Sequence, residues 1–354
     1  MAGYESGNFR TMDEPNDSAP DQLDEISSPS GPPAIASGAG LGFASTKLSP
    51  LEERMQKVFM GRNGLRPIWR LVLYLLMYRA LRFCLFVLLA YSLSDALFLW
   101  RQTAAELGLA IIALAPALLM SPIEGRAFTC YGLPPGKAFG KLFWVGALWG
   151  IMSLTLLLLA LRGAHAFYFG TVVLHGARAL KFALFWAVFF LIVAFYEEFF
   201  TRGYTQFTLT ETVGFWPAAI LLSLGFGALH LENPGESWVG ILGAMVIGFF
   251  FCLTLRRTGS LWFAVGFHAA WDWGESYFYS VPDSGGIAPG HLLHSSLQGP
   301  RWLTGGSVGP EGSVFLFVLL ALLWIVFDRV YPEVKYPEET AKEISDSGAT
   351  ALNP

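Results

Sequence analysis

Long apolar segments are the feature of this sequence that most constrains its fold. A helix that crosses a membrane needs about 20 mostly apolar residues, and windows of that kind recur along the chain. The chain is 54% hydrophobic and only 14% charged. The sequence therefore predicts an all-α fold, a polytopic membrane helix bundle with about eight transmembrane helices. The predicted spans cover residues 71–93, 104–121, 142–161, 180–202, 214–231, 238–255, 259–278 and 313–330.

Charge divides the chain into regions. The net charge of −4 hides a strongly acidic segment at 1–45 and a second at 333–354, so the intervening body is positive. Residues 1–45 are poor in apolar clusters and are predicted to be a disordered acidic tail. Residues 46–70 are predicted to be an amphipathic, basic juxtamembrane segment, and residues 71–332 the membrane domain. The acidic stretch 333–354 is predicted to be a C-terminal tail.

Basic residues near the predicted span ends indicate the orientation. They fall mainly on the side that holds both termini, which predicts cytoplasmic termini in a bacterial inner membrane. Arg62, Arg66 and Arg70 are expected to face anionic headgroups, so membrane lipids are expected partners. Arg79 and Arg82 interrupt the first span and are expected to meet a protein groove or to reach the interface. No nucleic-acid partner is expected.

The segment FYEEFFTR, residues 195–202, places charges inside a long apolar run. On a helix Glu198 lies one turn before Arg202, the favoured spacing for an ion pair, while Glu197 points about 100° away. The pattern predicts a structural Glu198–Arg202 pair and leaves Glu197 without a local partner. An unpaired carboxylate at membrane depth is a candidate for chemistry, and the alternative is that all three side chains reach the aqueous boundary.

Two later predicted spans carry histidines. In one, Phe226 and His230 share a helix face beside small residues, and in the other His268 and Asp272 lie four apart, with Glu275 continuing that side. Burying these groups without a function would carry a large free-energy cost, so the pattern predicts one shared active site on three helices.

In three ordered motifs the chain resembles the CPBP intramembrane proteases, a family that contains type II CAAX prenyl endopeptidases and bacteriocin-processing and lysostaphin-resistance-like proteins. The motifs are EExxxR at Glu197-Glu198-FFT-Arg202, FxxxH at Phe226-GAL-His230 and HxxxN/D at His268-AAW-Asp272. The resemblance covers about residues 180–275. Many relatives have Asn at the last motif position, where this chain has Asp272.

The resemblance implies an intramembrane endopeptidase. It implies that Glu197 is the general base that activates water, helped by His230. His268 and Asp272 are then expected to orient the water or stabilise the oxyanion. Glu198, Arg202 and Phe226 are expected to be structural. The implied substrate is a peptide or a lipidated protein associated with the membrane, although no residue pattern reports prenyl recognition.

Metal participation stays open at this point. Glu197, His230 and His268 can in principle supply an open site for a divalent metal such as zinc. The three cysteines are isolated, however, and the chain has no HExxH motif. Two other functions also remain open: a multi-pass transporter or channel, and a non-catalytic scaffold such as a bacteriocin-protection protein. The sequence has no internal repeat of the kind that many transporters contain.

One geometric conflict arises within the predicted spans. Glu197 lies near the predicted cytoplasmic end of its span. His230 lies at the other end of the next span, about 24 Å of helix from that span's cytoplasmic start. The two side chains can meet if the helix that carries Glu197 continues through GYTQFTL at residues 203–209, or if the next helix begins late; we predict the first. The long glycine-rich loop before the last span is expected to be either a cover for the site or a passive connector.

Overall fold

The structure is a computed structural model that describes residues 49–61, 64–92, 98–233 and 235–336. The predicted tail at 1–45 and most of that at 333–354 lie outside these ranges. The helices are α1 (Pro50–Phe59), α2 (Pro67–Ser92), α3 (Phe98–Ile123), α4 (Lys141–Gly163), α5 (Gly176–Arg202), α6 (Tyr204–Val213), α7 (Phe215–Leu229), α8 (Trp238–Thr258), α9 (Trp262–Trp273), α10 (Arg301–Thr304) and α11 (Val314–Val330). The two-residue strands β1 (Met60–Gly61) and β2 (Gly64–Leu65) pair with each other, as do β3 (Phe167–Tyr168) and β4 (Ser296–Leu297).

The predicted all-α membrane bundle is confirmed. Six helical segments in the described ranges have the length and apolar composition to cross a membrane: α2, α3, α4, α5 with α6, α7 together with the turn that follows it to Glu232, and α8. The other two predicted spans are shorter helices. α9 has 12 residues and continues as a six-residue π-helix, Gly274–Tyr279, and α11 has 17 residues. The protein is an integral membrane protein.

Glycine allows α4 and α9 to pack backbone to backbone. A Cβ atom at Gly146 would lie 2.1 Å from the Phe263 carbonyl oxygen, and one at Gly150 would lie 2.2 Å from that of Phe267. Gly266 makes the reciprocal approach to the Phe143 carbonyl. Small residues permit this separation, which larger ones would prevent. The contact fixes the height and rotation of α9, the helix that carries His268.

The helix that carries Glu197 continues beyond the FYEEFFTR segment. α5 ends at Arg202, and α6 begins at Tyr204 after a local deviation at Gly203, so one apolar path runs over Gly176–Val213. The predicted continuation through residues 203–209 is therefore confirmed. Because of it, Glu197 lies within the length of the helical path rather than at its end.

An ion network joins α2 to the end of α3 and to α6. Arg70 Nη1 lies 2.8 Å from Glu124 Oε2, and the same guanidinium contacts Glu211. Arg126 also pairs with Glu211, and the Tyr204 hydroxyl donates to Glu124. The expectation that Arg70 faces lipid headgroups was wrong, because the carboxylates of Glu124 and Glu211 hold its guanidinium inside the protein. Arg62 lies outside the described residues.

Candidate active site

The four predicted catalytic residues line one cavity of about 810 Å³. Glu197 comes from α5, His230 from the turn that follows α7, and His268 and Asp272 from α9. These elements meet because α5 packs against both α7 and α9. The structure thus brings together side chains that are far apart in the sequence, which makes the predicted shared site geometrically feasible.

Glu198 and Arg202 form the predicted ion pair behind the cavity. The Glu198 side chain is fully buried, and its Oε2 lies 2.7 Å from Arg202 Nη1. The guanidinium also donates to the Gly248 carbonyl oxygen at 3.1 Å and packs over the Phe226 ring at 4.7 Å. Glu197, one residue earlier, points to the cavity with 28% of its side chain exposed. The helix geometry therefore separates the two glutamates as the sequence predicts.

His268 lies close to the three carboxylates of the sequence motifs. Its Nδ1 lies 3.0 Å from Glu198 Oε1, so the protonated nitrogen donates to that carboxylate. Its Nε2 lies 3.4 Å from Asp272 Oδ2 and 3.8 Å from Glu197 Oε2. The ring also stacks on Phe251 at 6.0 Å. The imidazole is thereby held by one carboxylate while its second nitrogen is available to the cavity.

His230 is oriented by the first residue of its own motif. Its Nδ1 lies 2.8 Å from the Phe226 carbonyl oxygen, so Nδ1–H donates, and its ring packs edge-on against the Phe226 ring at 4.8 Å. This bond leaves Nε2 as the imidazole nitrogen that can interact with a molecule in the cavity. Phe226 thus positions His230 and also covers Arg202.

The geometry does not assemble the open zinc site. A zinc site needs three protein ligands about 2.0–2.3 Å from one ion, which places the ligand atoms close together. In the described part of the chain, the His, Cys, Asp and Glu residues that bring three ligand atoms within 4.8 Å of one another are Glu275, Asp283 and Glu311, not Glu197, His230 and His268. No catalytic step is therefore assigned to a metal at the predicted cluster.

Glu275 does not continue the His268–Asp272 face into the cavity. The α-helix changes to a π-helix at Gly274, which alters the rotation per residue, and Glu275 is fully buried away from the cavity lining. The expectation of a common side was therefore wrong.

Other charged residues reach the cavity from elements that the motifs do not include. Arg79 and Arg82 line it from α2, and Glu106 lines it from α3. Asp283 and Glu311 line it from the long loop, so this loop forms part of the cavity wall. Burial and the nearby Glu311 carboxylate raise the pKa of Asp283 to about 8. Sequence spacing carries no signal for these contacts, because each depends on tertiary packing.

The family comparison agrees with the motifs. A protein-family model described as "Type II CAAX prenyl endopeptidase Rce1-like" matches residues 179–274, which include all three motifs. No curated protein matches the chain. Residues 179–274 are thus similar to the Rce1-like type II CAAX prenyl endopeptidases, which agrees with the resemblance that the motifs indicate.

Proposed function

We propose that the protein is an intramembrane endopeptidase in which a glutamate activates water to cleave a peptide bond of a membrane-associated substrate. The observation that carries the proposal is the convergence of Glu197, His230, His268 and Asp272 on one cavity, within a segment that matches a protease family. Both parts are needed, since polar cavities also occur in transporters and a family match does not assign residue roles.

Glu197 is the proposed general base. Its carboxylate lines the cavity and lies 3.8 Å from His268 Nε2, so a water molecule bound between them is within reach of both groups. The carboxylate takes one proton from this water, and the oxygen adds to the carbonyl carbon of the substrate. The same carboxyl group then returns the proton to the leaving nitrogen as the C–N bond breaks. His230 holds the water through Nε2.

His268 and Asp272 are the proposed stabilisers of the oxyanion or of the bound water. A donor fixed before the reaction stabilises developing negative charge without reorganisation, and removing one such donor costs about 10²–10³ in rate. The Glu198 hydrogen bond and the Phe251 ring restrict the His268 imidazole in this way. Asp272 Oδ2 lies 3.4 Å from the second nitrogen, and the Glu198–Arg202 pair keeps the helices in register.

The substrate is proposed to be a peptide that carries a lipid or a membrane helix. Aromatic rings form part of the cavity wall, including those of Trp186, Phe189, Phe190 and Phe200 on α5. Such a wall favours an apolar group beside the scissile bond. Membrane lipids surround the helices, and we propose the predicted orientation, with both termini on the cytoplasmic side of a bacterial inner membrane.

The direct test compares two glutamates of the same cavity in purified protein. Glu197→Gln is expected to reduce cleavage of fluorogenic lipidated and unlipidated peptides by about 10²–10⁴, because the general base is lost. Glu232→Gln removes an exposed carboxylate that also lines the cavity and is expected to retain cleavage within a factor of two. Wild-type turnover by Glu197→Gln would refute the proposed mechanism.

The wild-type and Glu197→Gln proteins also distinguish the two rival functions. A transporter or channel would carry a proton or cation flux across liposomes while peptide cleavage is absent. A scaffold would keep its cellular role in the Glu197→Gln protein. Peptide termini in the membrane proteome can be compared between cells that carry the wild-type protein and cells that carry the Glu197→Gln variant. Differences would identify the cleaved proteins, and identical termini would contradict the protease proposal.

A further inference from the structure

Glu275, Asp283 and Glu311 form a carboxylate cluster beside the cavity. One oxygen atom from each lies within 4.8 Å of the others. Asp283 and Glu311 are half-buried and line the cavity, whereas Glu275 is fully buried behind them. The cluster is distinct from the proposed catalytic residues, because none of its three members belongs to the family motifs.

The Glu275 side chain is the part of the cluster that points to a ligand. Both of its carboxylate oxygens are buried and have no hydrogen-bond partner among the described residues. The indole Nε1 of Trp271, on the preceding turn, is likewise buried without a hydrogen-bond partner among the described residues. A buried carboxylate without a partner is costly, so a counter-charge bound at this point would offset a large penalty.

Backbone packing brings the three acids together. Glu275 lies on the π-helix after α9, Asp283 on the following loop, and Glu311 on the turn before α11. A Cβ atom at Gly309 would lie 1.9 Å from the Pro282 carbonyl oxygen, so the loop and the turn touch through main chain. Gly309 also has a φ of +98°, which glycine adopts readily. The fold therefore imposes the repulsive arrangement of the acids.

Neighbouring hydroxyl and amide groups orient the two outer carboxylates. Ser276 Oγ donates to Asp283 Oδ2 at 2.9 Å. Ser284 donates to Glu311 Oε2 through its hydroxyl at 2.8 Å and its amide at 3.2 Å. Each carboxylate retains oxygen lone pairs for a further ligand. These contacts preorganise the acids as outer-shell hydrogen bonds do in metal sites.

We propose that Glu275, Asp283 and Glu311 bind one hard divalent cation, for which calcium is the best fit. The donor set contains only oxygen, and it has no histidine or cysteine that would favour zinc. Calcium accepts six to eight oxygen ligands in flexible geometry, whereas magnesium is usually held by one or two carboxylates. Water in the adjoining cavity can complete the coordination of calcium.

The bound cation joins three segments of the structure. It connects the end of α9 to the loop that contains Asp283 and to the turn that contains Glu311. Asp283 and Glu311 also line the cavity, so the cation holds that part of the wall in place. This role does not require peptide cleavage, and the inference therefore stands independently of the proposed enzymatic activity.

Calcium binding can be measured on the full-length protein in detergent micelles after removal of metals with EGTA. Equilibrium dialysis with radioactive calcium is expected to give one saturable site per chain. Calcium at about 100 times its Kd is expected to raise the unfolding temperature by roughly 5 °C, read by tryptophan fluorescence. Absence of saturable binding at about 10 mM, above the range of weak calcium modules, would overturn the proposal.

Charge-neutralising variants separate a binding role from a structural one. Asp283→Asn and Glu311→Gln are each expected to weaken calcium binding by about tenfold or more, as loss of a ligand charge does. In EGTA both are expected to unfold at the wild-type temperature or above it, because each substitution removes an acid whose charged form is unfavourable beside the other two. Glu232→Gln, on the same cavity but outside the cluster, is expected to bind calcium as the wild type does. Wild-type calcium affinity in Asp283→Asn would refute the assignment.

Discussion

His268 Nδ1 lies 3.0 Å from Glu198 Oε1, so the imidazole on α9 donates a hydrogen bond to a fully buried carboxylate on α5. The second oxygen of Glu198 accepts from Arg202 at 2.7 Å. Glu198 therefore bridges the guanidinium that anchors α5 and the imidazole that faces the cavity. Its proposed structural role includes positioning a catalytic side chain.

Glu198→Gln is expected to lower stability. The substitution leaves the Arg202 guanidinium, 1% exposed, without its counter-charge, and breaking a buried pair in this way costs about 3–5 kcal/mol. Thermal unfolding in detergent measures the change. Glu333→Gln, at a largely exposed carboxylate paired with Lys335, is the control and is expected to unfold as the wild type does. An unchanged unfolding temperature for Glu198→Gln would contradict the proposed structural role.

Gly248→Ala is expected to reduce both stability and peptide turnover. The added Cβ atom would lie 2.7 Å from Arg202 Nη2 and 3.2 Å from the Phe226 ring, and overpacking of this kind costs about 1–3 kcal/mol. Displacement of Phe226 would also move His230, which its carbonyl holds. Gly225→Ala on the adjoining helix is the matched control, because its Cβ atom would meet nothing within 4 Å. Equal unfolding temperatures and rates for the two variants would exclude this packing role.

Asp272→Asn is expected to retain peptide turnover within about tenfold, whereas Asp272→Leu is expected to lose about 10²–10³. The asparagine amide oxygen can accept from His268 Nε2 at the observed 3.4 Å separation, and the leucine side chain cannot. Rates with a fluorogenic peptide check both variants. A strong loss in Asp272→Asn would show that the negative charge itself is required, which would separate this chain from relatives that have asparagine.

Phe189→Ala is expected to raise KM for a lipidated peptide by roughly tenfold or more with little change in kcat. Burial of an aromatic side chain contributes about 1.5–3 kcal/mol of favourable free energy, and the variant loses this contribution to substrate binding. Phe189 lines the cavity and packs against Trp186. Phe185→Ala is the control, because this ring stacks on Phe189 without lining the cavity. Equal effects on lipidated and unlipidated peptides would argue against a lipid-binding wall.

Local periodicity predicted the parts of the site that lie within one helix. The Glu198–Arg202 pair follows from i,i+4 spacing, and the separate direction of Glu197 follows from the 100° rotation per residue. The same reasoning failed for Glu275, because it assumed a uniform α-helix through a segment that becomes a π-helix at Gly274.

Contacts between helices could not be predicted from the spacing of residues along the chain. His268 reaches Glu198 across 70 residues, and Gly248 leaves space for Arg202 from a helix that carries none of the motifs. The approach of Asp283 and Glu311 to Glu275 depends on two glycine-lined loops that touch through main chain. The distances between these side chains cannot be read from their spacing in the sequence.

The amino-acid sequence by itself determined a helical membrane protein and the residue types of its candidate active site, because apolar length and helical spacing are local properties of the chain. Tertiary structure alone decided which nitrogen of His268 meets which carboxylate, and it placed three further acids beside the cavity. Those relationships depend on the rotation and height at which helices pack, and the glycine contacts between α4 and α9 set both for the helix that carries His268.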